Sequence, residues 1–340
     1  MRCLIITPYS GRLGGVESVN YVLEKALTNL NYKCEYLTLN DLSINLFYKV
    51  LSFLFGAPIL TTIEFYKKNN INEYDLIVCN GEFGFLIYNK NKIINLHHGS
   101  YYGYSRALKN NRTFKQTLLH LRGAFLQKIA THKKINVAVS SSVKTVLENQ
   151  NIKVDYVLPN AVIDDRFDVH KQEKTRRNGK ILLVTSNNYY AKGMDIVDEI
   201  ISKFGYSIDY ASPTENKKTL ANYIGHLSKD ELIDAYSKYS FVILPSRFEG
   251  MSMAIIESCM TGTPFLTSKV GHWLEVSNYC PDFIVEENKP EFFDAKFKLL
   301  ASDFEKYSNV ARNIYDNEHT LTIYQDRVEN ILLGIDYGAK

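Results

Sequence analysis

The sequence predicts an α/β protein made of two units, each a parallel β-sheet covered by helices. Its 340 residues exceed the usual size of a single core. Short apolar runs alternate with longer helical patterns, which is typical of parallel sheets. The alternation stops at a polar, charged segment, residues 166–179, and then begins again. We therefore predict units over 1–165 and 166–318, with a terminal helix over 319–340 that can cross back to the first unit.

The apolar runs place the strands of each predicted sheet. In the first unit they cover residues 3–7, 34–39, 76–79, 93–96, 137–139 and 156–158. In the second unit they cover residues 181–185, 207–210, 241–244 and 264–267. Sheets of this kind bind ligands beyond the carboxyl ends of their strands, so two of them facing each other would form a cleft.

Charge is distributed unevenly along the chain. Residues 1–170 carry 20 Lys and Arg against 13 Asp and Glu, whereas residues 171–340 carry 20 against 24. A basic half favours anionic partners such as phosphates or a lipid surface. Its basic residues concentrate in 101–135, which lacks acidic residues. The candidate face for such a partner is Arg106, Lys109, Arg112 and Lys115.

The partner of this basic segment is left open between an anionic membrane, a lipid-phosphate-linked acceptor and solvent alone. Nucleic acid is disfavoured, because no nucleic-acid fold signature accompanies the charge. Residues 42–63 carry a single charge but are interrupted at residues 56–58, which favours a core or interfacial helix over a membrane span. The five cysteines form no CxxC pair, which predicts buried reduced thiols in a cytosolic protein and no metal site.

The most informative segment, residues 245–257, joins a buried strand to a helix that begins near Met251. Free backbone N–H groups at such a helix start can bind an anion, and Gly250 lets a ligand approach the backbone closely. Carboxylates accept hydrogen bonds only, so Glu249 suits sugar hydroxyls and Glu257 suits a vicinal diol such as ribose. The candidate ligand-binding residues here are Arg247, Glu249, Gly250, Met251, Ser252, Met253 and Glu257.

Two segments of the first unit add candidates. Gly14 and Gly15 lie between the first strand and the first helix, where the backbone can pass close to a phosphate. His98 follows a strand that ends near Leu96, a position from which an imidazole can hold a hydroxyl or move a proton. His97 is the alternative in register.

Residues 245–257 resemble the retaining glycosyltransferases of family 4, whose pattern is Glu, seven residues and Glu after Pro-Ser. The likeness continues through residues 259–264 and 270–272 and implies a GT-B fold, in which two Rossmann-like domains face each other across a cleft. It implies that Lys192 neutralises the leaving diphosphate, that His98 lies beside the sugar and that Leu227 meets the nucleotide base. The family's second phosphate-binding cation, usually an Arg, is replaced here by Ser186 and Asn187 unless Arg247 reaches the phosphates.

The resemblance implies a metal-independent hexosyltransferase that needs no cofactor beyond its UDP- or GDP-sugar substrate. Its catalytic residues would be His98, Lys192 and Glu249. The acceptor would be a glycan or a lipid-linked intermediate of cell-surface polysaccharide or lipopolysaccharide synthesis, which predicts a cytoplasmic protein that can associate with the membrane. The alternatives are a GT-B sugar-nucleotide epimerase and a non-catalytic sugar-nucleotide or membrane-binding module. A dehydrogenase is disfavoured, because no Gly-x-Gly-x-x-Gly follows the first strand.

Overall fold

The computed structural model describes residues 1–9, 14–42, 46–68, 70–89, 92–109, 111–163, 179–186 and 188–338. The chain divides into two compact units. Unit 1 comprises Met1–Ala161 and Leu321–Lys340, and unit 2 comprises Val162–Thr320. Residues 164–178, which include all of the predicted linker 166–179 except Gly179, lie outside the described residues, and so does Asn187.

Unit 1 contains a six-stranded parallel sheet in the order β2-β1-β3-β4-β5-β6. The predicted runs all became strands because they are short and almost wholly apolar, as buried parallel strands are. The strands are β1 (Arg2–Ile6), β2 (Lys33–Leu37), β3 (Leu76–Asn80), β4 (Ile93–His97), β5 (Ile135–Ala138) and β6 (Tyr156–Val157).

Helices pack against this sheet through apolar faces spaced three and four residues apart. The first helix, for example, buries Val19, Val22, Leu23, Ala26 and Leu27. The helices are α1 (Gly15–Asn29), α2 (Leu46–Phe55), α3 (Pro58–Lys68), α4 (Tyr101–Ala107), α5 (Phe114–Ala130), α6 (Ser141–Glu148) and α13 (Leu321–Gly338). Helix α13 lies beside α1, where Asn29 donates a hydrogen bond to Gln325 at 2.8 Å. The last helix therefore belongs to unit 1.

The apolar stretch 42–63 forms two short helices rather than one. Helix α2 ends at Phe55 and α3 begins at Pro58, and Gly56 between them has a φ of 81° that only glycine adopts readily. Within the part of the chain that the structure describes, no helix is long and apolar enough to cross a membrane.

Unit 2 repeats the architecture with the strand order β12-β11-β10-β7-β8-β9, again all parallel. The strands are β7 (Ile181–Val184), β8 (Ile208–Ala211), β9 (Asn222–Tyr223), β10 (Phe241–Leu244), β11 (Phe265–Ser268) and β12 (Ile284–Val285). The helices are α7 (Met194–Phe204), α8 (Lys229–Lys238), α9 (Met253–Met260), α10 (Trp273–Tyr279), α11 (Pro290–Ser302) and α12 (Phe304–Glu318). The two outermost strands, β9 and β12, have two residues each and were not among the strands predicted from the sequence.

Each sheet has one place where neighbouring strands send their connections to opposite sides. In unit 1 this switch point lies between β1 and β3, and in unit 2 it lies between β7 and β10. Open α/β sheets bind ligands outside the carboxyl ends of the strands at such points. The loops that follow these four strands are therefore where a site is expected.

Candidate functional site

In unit 2, the loops after β7 and β10 meet through an ion pair. The Lys192 ammonium lies 2.7 Å from Glu249 Oε1, and the Ser246 hydroxyl donates to the same oxygen at 2.7 Å. Both side chains are mostly shielded, with 24% of Lys192 and 13% of Glu249 exposed. Among the described residues, no hydrogen bond reaches Glu249 Oε2. The carboxylate is thus held firmly by one oxygen and can accept from a ligand with the other.

Two glycines allow these loops to pack closely. Gly193 has a φ of 68°, and a Cβ there would lie 2.0 Å from the carbonyl oxygen of Pro245. Gly271 has a φ of 64°, and a Cβ there would lie 3.0 Å from that of Glu249. The lysine loop is tied to the glutamate loop by the backbone hydrogen bond from Arg247 N to Ala191 O, at 2.9 Å. A larger residue at Gly193 or Gly271 would therefore clash with the loop that carries Glu249.

Arg247 is occupied by partners on the same loops. Its guanidinium makes two hydrogen bonds to the Asp195 carboxylate, at 2.7 and 2.6 Å, and a third to the carbonyl of Tyr190 at 2.7 Å. It also stacks on the Tyr190 ring with 3.7 Å from Cζ to the ring centroid. A planar guanidinium engaged in this way fixes the loop, and its charge is balanced by Asp195. Neither described candidate therefore offers an unpaired second cation for a phosphate, because Arg247 is paired with Asp195 and Ser186 is neutral.

Helix α9 begins directly after this loop. Its N-cap, Ser252, makes no side-chain capping hydrogen bond, so the first N–H groups keep their capacity to bind an anion. Met251 and Ser252 are buried, whereas Gly250 and Met253 are half-buried at the helix start.

Glu257 lies on α9, one turn beyond Met253, and is half-buried. Burial of its carboxyl group raises the pKa to about 7, against the opposing effects of a hydrogen bond and the charge of Lys229. The hydrogen bond comes from the Tyr236 hydroxyl, 3.0 Å from Oε2. Near neutral pH this side chain is thus poised between its neutral and ionised forms.

Leu227 lies in the segment that follows β9 and is half-buried against the core of unit 2. Gly225, two residues earlier, has a φ of 102° that only glycine adopts readily, and His226 is exposed. Leu227 thus follows β9, the edge strand of the sheet, whereas the loops that carry Lys192 and Glu249 follow β7 and β10.

In unit 1, a chain of neutral side chains crosses the switch point. Asn20 donates to Thr7 Oγ1 at 3.0 Å, Asn80 donates to Asn20 Oδ1 at 2.9 Å, and His98 Nε2 lies 2.6 Å from Asn80 Oδ1. Since Asn80 uses its NH₂ group on Asn20, its oxygen must accept from His98, which requires the Nε2–H tautomer. Among the described residues nothing bonds to His98 Nδ1, which is left as a hydrogen-bond acceptor.

Burial and the neighbouring His97 lower the pKa of His98 to about 4, so the imidazole is neutral near pH 7. His97, the alternative in register, is fully buried. Its ring nitrogens lie 3.3 Å from the side chains of Asn95, Asn136 and Gln127. His98 is half-buried, so it is the histidine of this pair that a ligand could reach.

Gly14 and Gly15 form the N-terminus of α1, with Gly14 as its extended N-cap. A Cβ at Gly14 would lie 2.3 Å from Oε2 of Glu17, so the Glu17 carboxylate closes over this helix end. An acidic first turn complements the helix dipole but competes with a phosphate for the same N–H groups. The preceding residues Arg12 and Leu13 lie outside the described part of the chain.

The basic candidates of unit 1 differ in their surroundings. Arg106, Lys109 and Lys115 are exposed around the connection between α4 and α5. Arg112 is half-buried, and its guanidinium donates to the carbonyl of Ser105 at 2.7 Å. Arg112 therefore stabilises the connection, and the other three residues present charge to solvent.

Sequence reasoning missed the residues that orient the candidates. These are Thr7, Asn20, Asn80, Asp195, Tyr236 and Ser246. A signal existed for Thr7 and Asn80, because each lies at the carboxyl end of a predicted strand beside the switch point. Asn20 was hidden inside an amphipathic helix.

Comparisons with known proteins agree with this architecture. A family model described as glycosyl transferases group 1 matches residues 212–317, less than a third of the chain. An uncharacterized glycosyltransferase, 335, of Sulfolobus islandicus rod-shaped virus 1 is 22% identical over 200 residues, or 55% of this chain and 58% of its own. The uncharacterized glycosyltransferase MJ1178 of Methanocaldococcus jannaschii is 27% identical over 121 residues, 32% of this chain and 34% of its own. The chain thus spans about half or less of the length of these curated relatives.

Solved structures match over nearly the whole chain. Sucrose-phosphate synthase from Thermosynechococcus elongatus superposes with a TM-score of 0.73 at 12% identity, covering 100% of both chains. WaaG, a glycosyltransferase involved in lipopolysaccharide biosynthesis, gives 0.67 at 10% identity, covering 98% of this chain and 100% of its own. Anabaena Alr3699/HepE in complex with UDP-glucose gives 0.66 at 12% identity, covering 97% and 99%. The fold is GT-B. The GT-B fold expected from residues 245–257 is confirmed, with two six-stranded parallel sheets.

Proposed function

We propose that this GT-B protein is a retaining glycosyltransferase that moves a hexose from a UDP- or GDP-sugar to a glycan or lipid-linked acceptor in cell-surface polysaccharide synthesis. The observation that carries the proposal is the Lys192–Glu249 ion pair at the switch point of unit 2. It brings a cation suited to a diphosphate beside a carboxylate suited to sugar hydroxyls.

In the proposed reaction, the free N–H groups at the start of α9 bind the diphosphate of the donor. Lys192 balances the negative charge that grows on the diphosphate as the glycosidic bond breaks. Glu249 is held on Oε1 and accepts from the sugar through Oε2, and Glu257 accepts from the ribose. His98 accepts from a hydroxyl through Nδ1, because its Nε2–H is engaged by Asn80.

The remaining steps follow from the proposed retention of configuration. The leaving diphosphate takes the proton of the acceptor hydroxyl as that oxygen attacks the same face of the sugar. Lys192 is the chain's own counter-charge for this step, so we propose that the transfer is metal-independent. Gly15 contributes backbone N–H from α1, once Glu17 moves aside. Arg247 acts by fixing the lysine loop through Asp195, rather than by touching phosphate.

The structural neighbours support a nucleotide-sugar donor, because HepE was solved in complex with UDP-glucose. WaaG, described as involved in lipopolysaccharide biosynthesis, supports an acceptor in a cell-surface polysaccharide. The exposed basic residues Arg106, Lys109 and Lys115 suit a phosphate-linked acceptor or an anionic membrane. We therefore propose a cytoplasmic protein that acts at the inner face of the membrane.

The donor can be identified by thermal unfolding. A panel of UDP- and GDP-sugars is added to the purified chain, and a bound donor should raise Tm by mass action, in contrast to the free sugar alone. Turnover of that donor is then followed with and without a lipid extract. Transfer only with extract supports the proposal, whereas turnover without any acceptor would indicate an epimerase. Stabilisation with no turnover in either condition would indicate a binding module.

A further inference from the structure

Two helices of unit 1 expose apolar side chains at helical spacing. On α5, Phe114, Leu118, Leu121 and Phe125 follow one another at intervals of four, three and four residues, and they are 79%, 52%, 57% and 64% exposed. On α2, the exposed side chains include Leu46, Val50 and Phe53 at the same spacing, and Phe53 is 80% exposed. Such a stripe normally faces a core, and here it faces solvent.

The two helices meet at one end. Arg122 of α5 donates to the carbonyl of Phe53 at 2.9 Å. A Cβ at Gly56, just after α2, would lie 3.1 Å from Leu126 of α5. The C-terminal end of the α2 stripe is thus in contact with α5, the helix that carries the second stripe. We call the seven stripe residues on α2 and α5 the apolar face.

The charge around the apolar face is of one sign. The sequence has no acidic residue between Asp41 and Glu64 or between Glu82 and Glu148, so neither helix carries one. Lys49, Lys115 and Lys128 are exposed on the same two helices. A second copy docked through this face would bring two positive surfaces together, because a twofold contact uses the same patch on both copies. An anionic lipid surface satisfies both the apolar side chains and the surrounding charge.

We propose that the apolar face inserts into the interfacial region of an anionic membrane, with α2 and α5 lying along the surface and their lysines on lipid phosphates. Phe53, Phe114 and Phe125 are the inserted anchors. The proposal adds a specific membrane surface to the proposed function but does not rest on it, because lipid binding needs no sugar donor.

The test is co-sedimentation of the full chain with vesicles of phosphatidylcholine, with or without phosphatidylglycerol. We expect binding to the anionic vesicles that weakens with added salt. The double variant Phe53→Ser and Phe125→Ser should lose about tenfold or more in vesicle affinity, because two aromatic anchors are removed. The matched control replaces two exposed apolar residues of unit 2, Leu220→Ser and Phe292→Ser, and should bind unchanged.

Three results would overturn the proposal. One is no sedimentation of the unchanged protein with anionic vesicles. Another is equal binding by the double variant with an unchanged Tm. The third is a dimer of the unchanged protein that the double variant converts to monomer, which would make the face a contact between copies. The Lys192→Ala variant should bind vesicles normally, so loss of transfer and loss of lipid binding are separable.

Discussion

The two switch points of this protein are built from opposite chemistry. In unit 2, charged groups are paired across the loops, Lys192 with Glu249 and Arg247 with Asp195. In unit 1, the equivalent place holds a neutral chain of Thr7, Asn20, Asn80 and His98 joined by hydrogen bonds. The fold is the same, so the difference lies in the side chains that the same architecture presents.

The contrast indicates which part of a substrate each unit suits. Paired charges can exchange partners when a diphosphate arrives, and the low polarity of a shielded site strengthens each new contact. A neutral chain has no charge to offer, but it fixes a single tautomer and thus a single direction for the hydrogen bond it makes. Unit 2 therefore suits the ionic end of a donor, and unit 1 suits a hydroxyl.

The largest expected effect comes from breaking the charged site. Lys192→Ala and Glu249→Ala should each lower kcat/KM for transfer by about 10²–10³-fold, because each removes a group that meets charge or hydroxyls in the transition state. Both variants should keep the wild-type far-UV spectrum. The measurement is transfer with the donor that raises Tm.

The control for this prediction is Lys269→Ala, since Lys269 and Glu286 form an exposed pair of the same length, 2.7 Å, in the same unit. Exposed pairs contribute little to stability or activity, so this variant should transfer at nearly the wild-type rate. Wild-type activity in either site variant would contradict the assignment of the donor site.

A smaller loss is expected from breaking the neutral site. Asn80→Leu removes the acceptor that holds Nε2–H of His98, so the imidazole should sample both tautomers and turn. We expect kcat/KM to fall about tenfold to a hundredfold, as misplacement of a positioned group does. The ¹⁵N shifts of His98 should show Nε2–H in the unchanged protein and a mixture in Asn80→Leu.

Asn222→Leu tests the same substitution at an exposed asparagine of unit 2, and it should leave the His98 signals unchanged. If the unchanged protein instead carries its proton on Nδ1, the direction of the chain from Thr7 to His98 is wrong. In that case His98 would donate to a ligand rather than accept from it.

The amino-acid pattern predicted the sheets because buried parallel strands are short apolar runs that contrast with their surroundings. It did not predict β9 or β12, each of which has two residues paired with a longer neighbouring strand. Glu249 and Glu257 could be named as candidates because their loop and helix are contiguous in sequence. The partners of Lys192, Arg247 and His98 lie 18 to 57 residues away, and such pairings arise only when strands become neighbours.

The apolar face shows a different limit. In residues 101–135 the basic residues predict an anionic partner, but the spacing of Phe114, Leu118, Leu121 and Phe125 is the same as in a helix that faces a core. Only exposure distinguishes the two, since a core stripe and a membrane stripe have the same period. The sequence could suggest an anionic partner here, but not the surface that meets it.

The smallest expected effect concerns Glu257 and separates the two switch points by pH. Its pKa of about 7 in the folded protein exceeds the ordinary value of 4.5, so between these pH values the folded state holds more protons than the unfolded state. The contribution of Glu257 to stability should therefore fall as pH rises from 5 to 8. Glu257→Gln, which can still accept from Tyr236, should remove this penalty, raising the free energy of unfolding at pH 8 by about 1–2 kcal/mol after allowance for partial exposure.

The measurement is the difference in Tm between Glu257→Gln and the unchanged protein, taken without donor at several pH values. The difference should grow from pH 5 to pH 8, and the exposed Glu215→Gln variant is the control for the loss of a surface carboxylate elsewhere in unit 2. Burial lowers the pKa of His98 to about 4, below the 6.5 of an ordinary imidazole, so in unit 1 this residue makes stability rise with pH between those values, opposite in sign to Glu257. The His98 contribution is the same in both proteins and cancels in the Tm difference. A Tm difference independent of pH would mean that Glu257 is ionised throughout this range. Its carboxylate would then be a permanent hydrogen-bond acceptor for a diol, and not a group that ionises near neutral pH.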